Sequence, residues 1–199
     1  MNQVKKKLGR GLALLLAVLQ VMLVFAVVPV SAADDPVASG YCGNEASDAN
    51  LTWTLDSAGT LTISKVNGAT GGMKSYQQDS ESGSIAPWRE YDVKKVVIEE
   101  GVTTIGQYAF YGCEALTSVT LPDSMLYFNN FAFENCTSLE SIEIPSNVWS
   151  IGSGAFEGCS RLKSVTIPSE SRVERIENSA FNDCISLTSI TIPNKVTAI

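Results

Sequence analysis

Residues 109–122 read Ala109-Phe110-x-x-Cys113-x-x-Leu116-x-Ser118-Val119-x-Leu121-Pro122, and the same sentence returns three more times. The cysteines fall at Cys113, Cys136, Cys159 and Cys184, spaced by 23, 23 and 25 residues. Phe110, Phe133, Phe156 and Phe181 keep the same intervals, as do Leu116, Leu139, Leu162 and Leu187, and Pro122, Pro145, Pro168 and Pro193. Past each proline comes an apolar residue, two variable positions and another apolar residue. The longer third interval is absorbed just past Pro168, in Ser169-Glu170-Ser171-Arg172, where a loop accepts extra residues at small entropic cost. A half-unit stands upstream: Val93, Val96 and Ile98 take the places of Leu116, Val119 and Leu121, and Val102 and Ile105 those of Met125 and Phe128.

Each part of the frame has a physical reading. Leu116, Val119 and Leu121 include a period-2 stretch, which predicts a short strand with Ser118 and Thr120 outward. Proline lacks a ladder donor and ends the strand. The Val-x-x-Ile segment is a second extended stretch. In Ala-Phe-x-x-Cys the Phe and Cys are three apart, which predicts one inward-facing helical turn. One such unit buries too little to offset the ordering of its backbone. Stacked units complete each other's ladders and bury each other's faces, so the array is the stable entity.

The first 33 residues differ from the rest. Lys5, Lys6, Lys7 and Arg10 precede an almost unbroken apolar run from Leu12 to Val28, and Pro29-Val30-Ser31-Ala32-Ala33 then supplies small residues for cleavage. This order is that of a secretory signal peptide. Residues 34–92 form an N-terminal linker and β-rich cap. Leu51, Trp53 and Leu55 alternate, as do Leu61 and Ile63, and the turn Asp56-Ser57-Ala58-Gly59 between them predicts a hairpin over 51–64. Trp53 and Trp88 are expected to dock on the first unit, because solenoid ends need covering. Residues 67–84, rich in Gly, Ser, Gln and Asp, are expected to be a mobile loop. The solenoid occupies 93–199 as about four coils of 23–25 residues. Ile199 holds the place of Ile176, so the array is expected to continue beyond the chain, with room there for a cell-surface anchor or a catalytic domain; the alternative is a last face covered by a partner.

Composition narrows the function. The 199 residues contain no histidine, which removes Ser-His-Asp and Cys-His catalysis and the commonest zinc ligand. The net charge is −7; without residues 1–33, which carry four basic and no acidic residues, 10 basic and 21 acidic residues leave −11. Nucleic acid is a poor partner for such a surface. After cleavage no apolar run is long enough to span a bilayer. Glu99-Glu100 and Glu170/Glu174/Glu177 read as solvated carboxylates, and no calcium loop is present. No cofactor and no metal are expected, and the chain is read as a non-enzyme. Equivalent cysteines on successive coils would lie about 4.8 Å apart with parallel side chains, wider at the β-carbons than a bridge prefers. They read as buried thiols.

The recurring Cys-x-x-Leu-x-Ser-Val-x-Ile-Pro, with Ile-Gly-x-x-Ala-Phe, resembles the bacterial BspA-type leucine-rich repeat over residues 93–199. Gly40-Tyr41-Cys42-Gly43, Leu51–Leu55, Gly59–Ser64 and Ala86-Pro87-Trp88 resemble the segment that often precedes such arrays. The resemblance implies a secreted or cell-surface protein that mediates adhesion or protein binding, with a protein on a host or microbial surface as partner. Two other readings stay open: the non-catalytic targeting portion of a larger secreted enzyme, and a glycan-binding module. Candidate contact residues are those that the frame leaves outward: Trp149 and its counterpart Leu126, Tyr108 and its counterpart Phe131, and the strand-face column Thr120, Glu143, Thr166 and Thr191.

Overall fold

The computed structural model describes residues 36–44, 49–79 and 85–199. The cleavable leader read at 1–33 lies outside the described residues.

Three short β-strands open the described chain: β1 (Ala38–Tyr41), β2 (Leu51–Leu55) and β3 (Thr60–Lys65). β2 and β3 are the expected hairpin, with Leu51, Trp53, Leu55, Leu61 and Ile63 buried on one face. Its turn is held by Asp56, whose Oδ1 accepts from the amides of Ala58 (3.0 Å) and Thr60 (2.7 Å). These amide bonds, that from Thr60 first, hold the Asp56 carboxyl below its usual range. The hairpin joins the array by hydrogen bonds: β3 runs parallel to β5 (Lys95–Ile98), with Leu61 opposite Val96 and Ile63 opposite Ile98. β5 in turn pairs with β7 (Ser118–Thr120), so the first sheet has the order β1-β2-β3-β5-β7.

The Val-x-x-Ile segments build a second, parallel sheet. Its strands are β4 (Gly71–Gly72), β6 (Val102–Ile105), β8 (Tyr127–Phe128), β10 (Ser150–Ile151) and β12 (Arg175–Ile176), paired in that order. β9 (Ser141–Glu143) and β11 (Ser164–Thr166) pair with each other as a separate two-stranded sheet.

Two expectations need correction. The segment 67–84 was expected to be a mobile loop from its composition. Within it, Gly71–Gly72 extends the second sheet, and Met73 and Tyr76 are buried. Those two apolar anchors outweigh the polar residues around them. The glycines permit the approach: a β-carbon on Gly72 would lie 2.9 Å from Thr104 Cβ. Residues 80–84 of that segment lie outside the described residues.

The expected helical turn is also different in kind. Among the described residues no helix forms. Ala-Phe-x-x-Cys is instead a series of tight turns, with the Cys113 amide donating to the Phe110 carbonyl (3.1 Å) and the Leu116 amide to that of Cys113 (3.0 Å). The reason is the backbone just before and within it. Tyr108, Phe131, Gly154 and Ser179 all lie in the left-handed region, with φ of 53°, 58°, 60° and 58°. Gly112, Asn135, Gly158 and Asp183 do so again four residues later, with φ of 66°, 58°, 70° and 55°. A right-handed helix does not run through either column.

These turns form their own ladder between coils. Phe110 N donates to Ala132 O (2.8 Å), Phe133 N to Ala155 O (2.8 Å) and Phe156 N to Ala180 O (2.9 Å). Inside, the phenylalanines lie over one another as the repeat intervals predict. Ring centroids are 4.9 Å apart for Phe110–Phe133, 5.3 Å for Phe133–Phe156 and 5.5 Å for Phe156–Phe181, with the last two pairs within 4° of parallel. Trp88 heads the file, stacked 5.8 Å from Phe110, with Trp53 edge-on to it at 5.7 Å. Its indole Nε1–H donates to Ala109 O at 2.7 Å, which pairs a buried polar group that would otherwise be costly.

The cysteines form a second inner file. Among the described residues no two cysteines form a disulfide, and all five are buried. Cys136 Sγ donates to Phe110 O (3.2 Å), Cys159 Sγ to Phe133 O (3.2 Å) and Cys184 Sγ to Phe156 O (3.1 Å). Each thiol thus ties its coil to the phenylalanine carbonyl of the coil before. Burial pushes the Cys113 and Cys184 thiols up to about 12 and the Cys136 thiol well above its usual value. At pH 8 a thiol with a pKa near 12 is ionised about a thousandfold less than an ordinary one, and only the thiolate reacts. Native protein should therefore be nearly inert to iodoacetamide at that pH at Cys113 and Cys184. Denatured, unreduced protein should titrate five thiols; fewer would contradict the free-thiol file.

Candidate protein-binding surface

The coil presents two outward positions between the inward residues of each Val-x-x-Ile segment. Trp149 occupies the first of these, between buried Val148 and Ile151, and 41% of its surface is exposed. Its place in the stack is fixed by backbone bonds: Trp149 N donates to Leu126 O (2.8 Å), and Glu174 N donates to Trp149 O (3.0 Å). Leu126 is the counterpart expected, and it is half-buried. The second outward position holds Tyr127, which lies opposite Ser150 in the ladder and is 42% exposed. Reasoning from the frame missed Tyr127, although it directly precedes inward Phe128 and so had to point outward.

Tyr108 and Phe131 stack on each other, ring centroids 5.1 Å apart and 9° from parallel. Both are half-buried. Tyr111 meets Tyr108 edge-on at 5.7 Å, and the Arg89 guanidinium lies 4.5 Å above the Tyr111 ring. A β-carbon on Gly154 would fall 2.5 Å from the Phe131 ring, so the next coil supplies a glycine as the floor of this stack. The column is therefore packed against its own neighbours rather than open. Burial, then the Glu134 carboxylate, pushes the Tyr108 phenol up, and burial, then Glu157, pushes the Glu134 carboxyl up. Among the described residues no ring contact joins this column to Trp149 or Tyr127.

The strand-face residues Thr120, Glu143 and Thr166 are exposed, on β7, β9 and β11. Thr191 is exposed as well, but residues 188–192 carry no strand. The exposed Lys163 and Glu140 form an ion pair at 2.9 Å beside this face, which contributes little by itself. Two of the candidate carboxylates make surface contacts: Glu100 accepts from the Asp123 amide (2.8 Å), and Glu177 pairs with Arg175 (2.6 Å). Among the described residues no group of three or more Cys, Asp or Glu is placed to hold a metal ion, and no helix is long and apolar enough to cross a membrane.

The family described as BspA type Leucine rich repeat region matches residues 88–199 in six copies. Among solved structures, the chain is similar to the T. pallidum Leucine Rich Repeat protein at 28% identity and a TM-score of 0.50, covering 72% of this chain and 69% of that one. It shares its fold with a leucine-rich repeat protein from Eubacterium ventriosum, at 22% identity and a TM-score of 0.54, covering 79% of this chain and 45% of that one. The pneumococcal vaccine antigen PcpA matches at 21% identity and a TM-score of 0.50, covering 75% of this chain and 44% of that one. The chain thus spans less than half the length of the latter two proteins. No curated protein sequence matches it. Six copies of the repeat over more than half of the residues, wound into coils with phenylalanine and cysteine files inside, carry the assignment: the chain belongs to the BspA-type leucine-rich repeat family.

Proposed function

We propose that this chain is a secreted or surface-displayed protein whose repeat array binds a protein on a host or microbial surface, without chemistry of its own. Residues 1–33 serve as the leader, residues 34–92 as linker and cap, and residues 93–199 as the binding solenoid. The cap reading is supported by the Trp53–Trp88 contact at the head of the phenylalanine file and by the β3–β5 ladder. The binding reading is carried by Trp149. A tryptophan held outward on a rigid stack, with exposed Tyr127 on the adjoining strand, is the residue type that anchors protein interfaces.

Flow cytometry with the labelled, secreted chain on host epithelial and microbial cells tests this. Saturable binding that protease treatment of the cells removes is the expected result. Truncating an anchor residue costs about 2 kcal/mol or more, so Trp149→Ala should weaken half-saturation about thirtyfold. Binding that survives protease but is lost after glycosidase would favour the glycan-binding reading instead. Unchanged binding by Trp149→Ala would remove this surface from the account.

A further inference from the structure

The first sheet is interrupted. Thr117 N donates to Lys94 O (2.9 Å), and Lys163 N donates to Glu140 O (2.9 Å). The bond between these two in the series, Glu140 N to Thr117 O, is not made. Ile144 N donates to Thr166 O (2.8 Å), yet its counterpart, Leu121 N to Glu143 O, is likewise absent. β7 ends one sheet and β9 begins another, although both belong to neighbouring coils. The turn ladder closes normally at the same level, through Phe110 N–Ala132 O (2.8 Å) and Gly112 N–Glu134 O (2.9 Å). The second sheet also continues there, from β6 to β8 to β10. The two coils are thus joined on two sides and parted on the third.

Two further observations fall at the same place. The inward residues of β7 and its end are half-buried, while their equivalents on the two flanking coils are closed off: Val119 against Val96 (1%) and Ile142 (3%), Leu121 against Ile98 (2%) and Ile144 (0%). A cavity of about 290 Å³ opens there, lined by Val119, Thr120, Leu121, Asp123, Glu143 and Pro145. Val119, Leu121 and Pro145 are its apolar lining residues, Asp123 and Glu143 its carboxylates, and no basic side chain lines it. The nearby Lys163 is engaged by Glu140.

We propose that this slot between β7 and β9 receives an apolar side chain from an extended, basic segment of a partner protein. The inference rests on the protein-binding reading above and names the chemistry of the partner. Val119, Leu121 and Pro145 take the apolar side chain. Asp123 and Glu143 select lysine or arginine on either side of it, by charge complementarity. The Leu121 and Glu140 amides and the Thr117 carbonyl, which make no ladder bond here, leave polar backbone groups beside the slot.

The test is an amide-resolved NMR titration of the full chain with a terminally blocked Lys-Thr-Lys-Leu-Lys-Thr-Lys peptide. In the free chain the Leu121 and Glu140 amides should exchange with solvent at least a hundredfold faster than those of Ile144 and Lys163. The peptide should shift Leu121, Glu140 and Glu143 saturably. Exchanging its leucine for serine, or its lysines for glutamates, should weaken binding at least tenfold. So should Glu143→Lys and Asp123→Asn in the chain, both exposed positions that leave the core intact. Slow exchange at Leu121 and Glu140 would overturn the slot. So would shifts spread over the acidic surface, or equal binding by Glu143→Lys. If cell binding depends on Trp149 but is indifferent to Glu143→Lys, the slot is overturned while the broader binding reading stands.

Discussion

Phe133→Ala is expected to destabilise the chain by about 3–5 kcal/mol, as for other buried phenylalanines. The ring is fully buried and stacked on both sides, on Phe110 at 4.9 Å and Phe156 at 5.3 Å. Neighbouring rings cannot close the gap, because inter-coil hydrogen bonds hold the coils at ladder spacing. The lost contacts therefore stay lost. For a chain of this size each kcal/mol is worth roughly 2–4 °C, so thermal melting should fall by about 10 °C. Phe181→Ala offers the internal control. Phe181 is half-buried and stacked on one side only, on Phe156, so it should lose less than half as much. Equal losses at the two positions would mean that the file is not a shared element.

Gly152→Ala should be comparably damaging, for a backbone reason. A β-carbon there would lie 2.7 Å from Asn129 C, 2.8 Å from Asn130 N and 2.8 Å from Phe128 O, all main-chain atoms of the coil before. Those atoms cannot rotate away as a side chain would. The Gly152 amide also donates to Phe128 O (2.9 Å), and relieving the clash breaks that bond. Overpacking alone costs about 1–3 kcal/mol, and the disturbed ladder adds to it. Gly68→Ala is the contrast. A β-carbon at Gly68 meets nothing within 4 Å, and only its φ of 75° resists substitution, at about 1–2 kcal/mol. Chemical denaturation of the two variants should separate them clearly, with Gly152→Ala the weaker protein.

The stack was legible because it is written four times. The intervals of Phe110, Phe133, Phe156 and Phe181 already imply one ring over the next, and the buried thiols follow from the same count. Trp149 was readable as outward because Val148 and Ile151 flank it. What escaped notice had no local signature. Gly71–Gly72 joins the second sheet through a neighbour 31 or more residues away, and its polar surroundings resemble a loop. Ser118-Val119-Thr120 and Ser141-Ile142-Glu143 follow the same pattern, so nothing in either announces that β7 and β9 part. Phe and Cys three apart fit one helical turn and a tight turn alike, so the interval does not decide between them. The left-handed backbone at Tyr108 and Phe131 was hidden by aromatic residues, and its sign was Gly154 in the same column. Tyr127 holds the second of the two outward positions between Met125 and Phe128, where the other coils carry small or charged residues, so the repeat frame gives it no aromatic signature.

The stacking itself is open to one direct measurement. In a deuterated chain with protonated phenylalanine rings, through-space NMR should connect Phe110 with Phe133, Phe133 with Phe156, and Phe156 with Phe181. It should connect no ring with the one two coils away. A Phe133 ring that sees neither Phe110 nor Phe156 would contradict the coil-on-coil arrangement on which the binding surfaces depend.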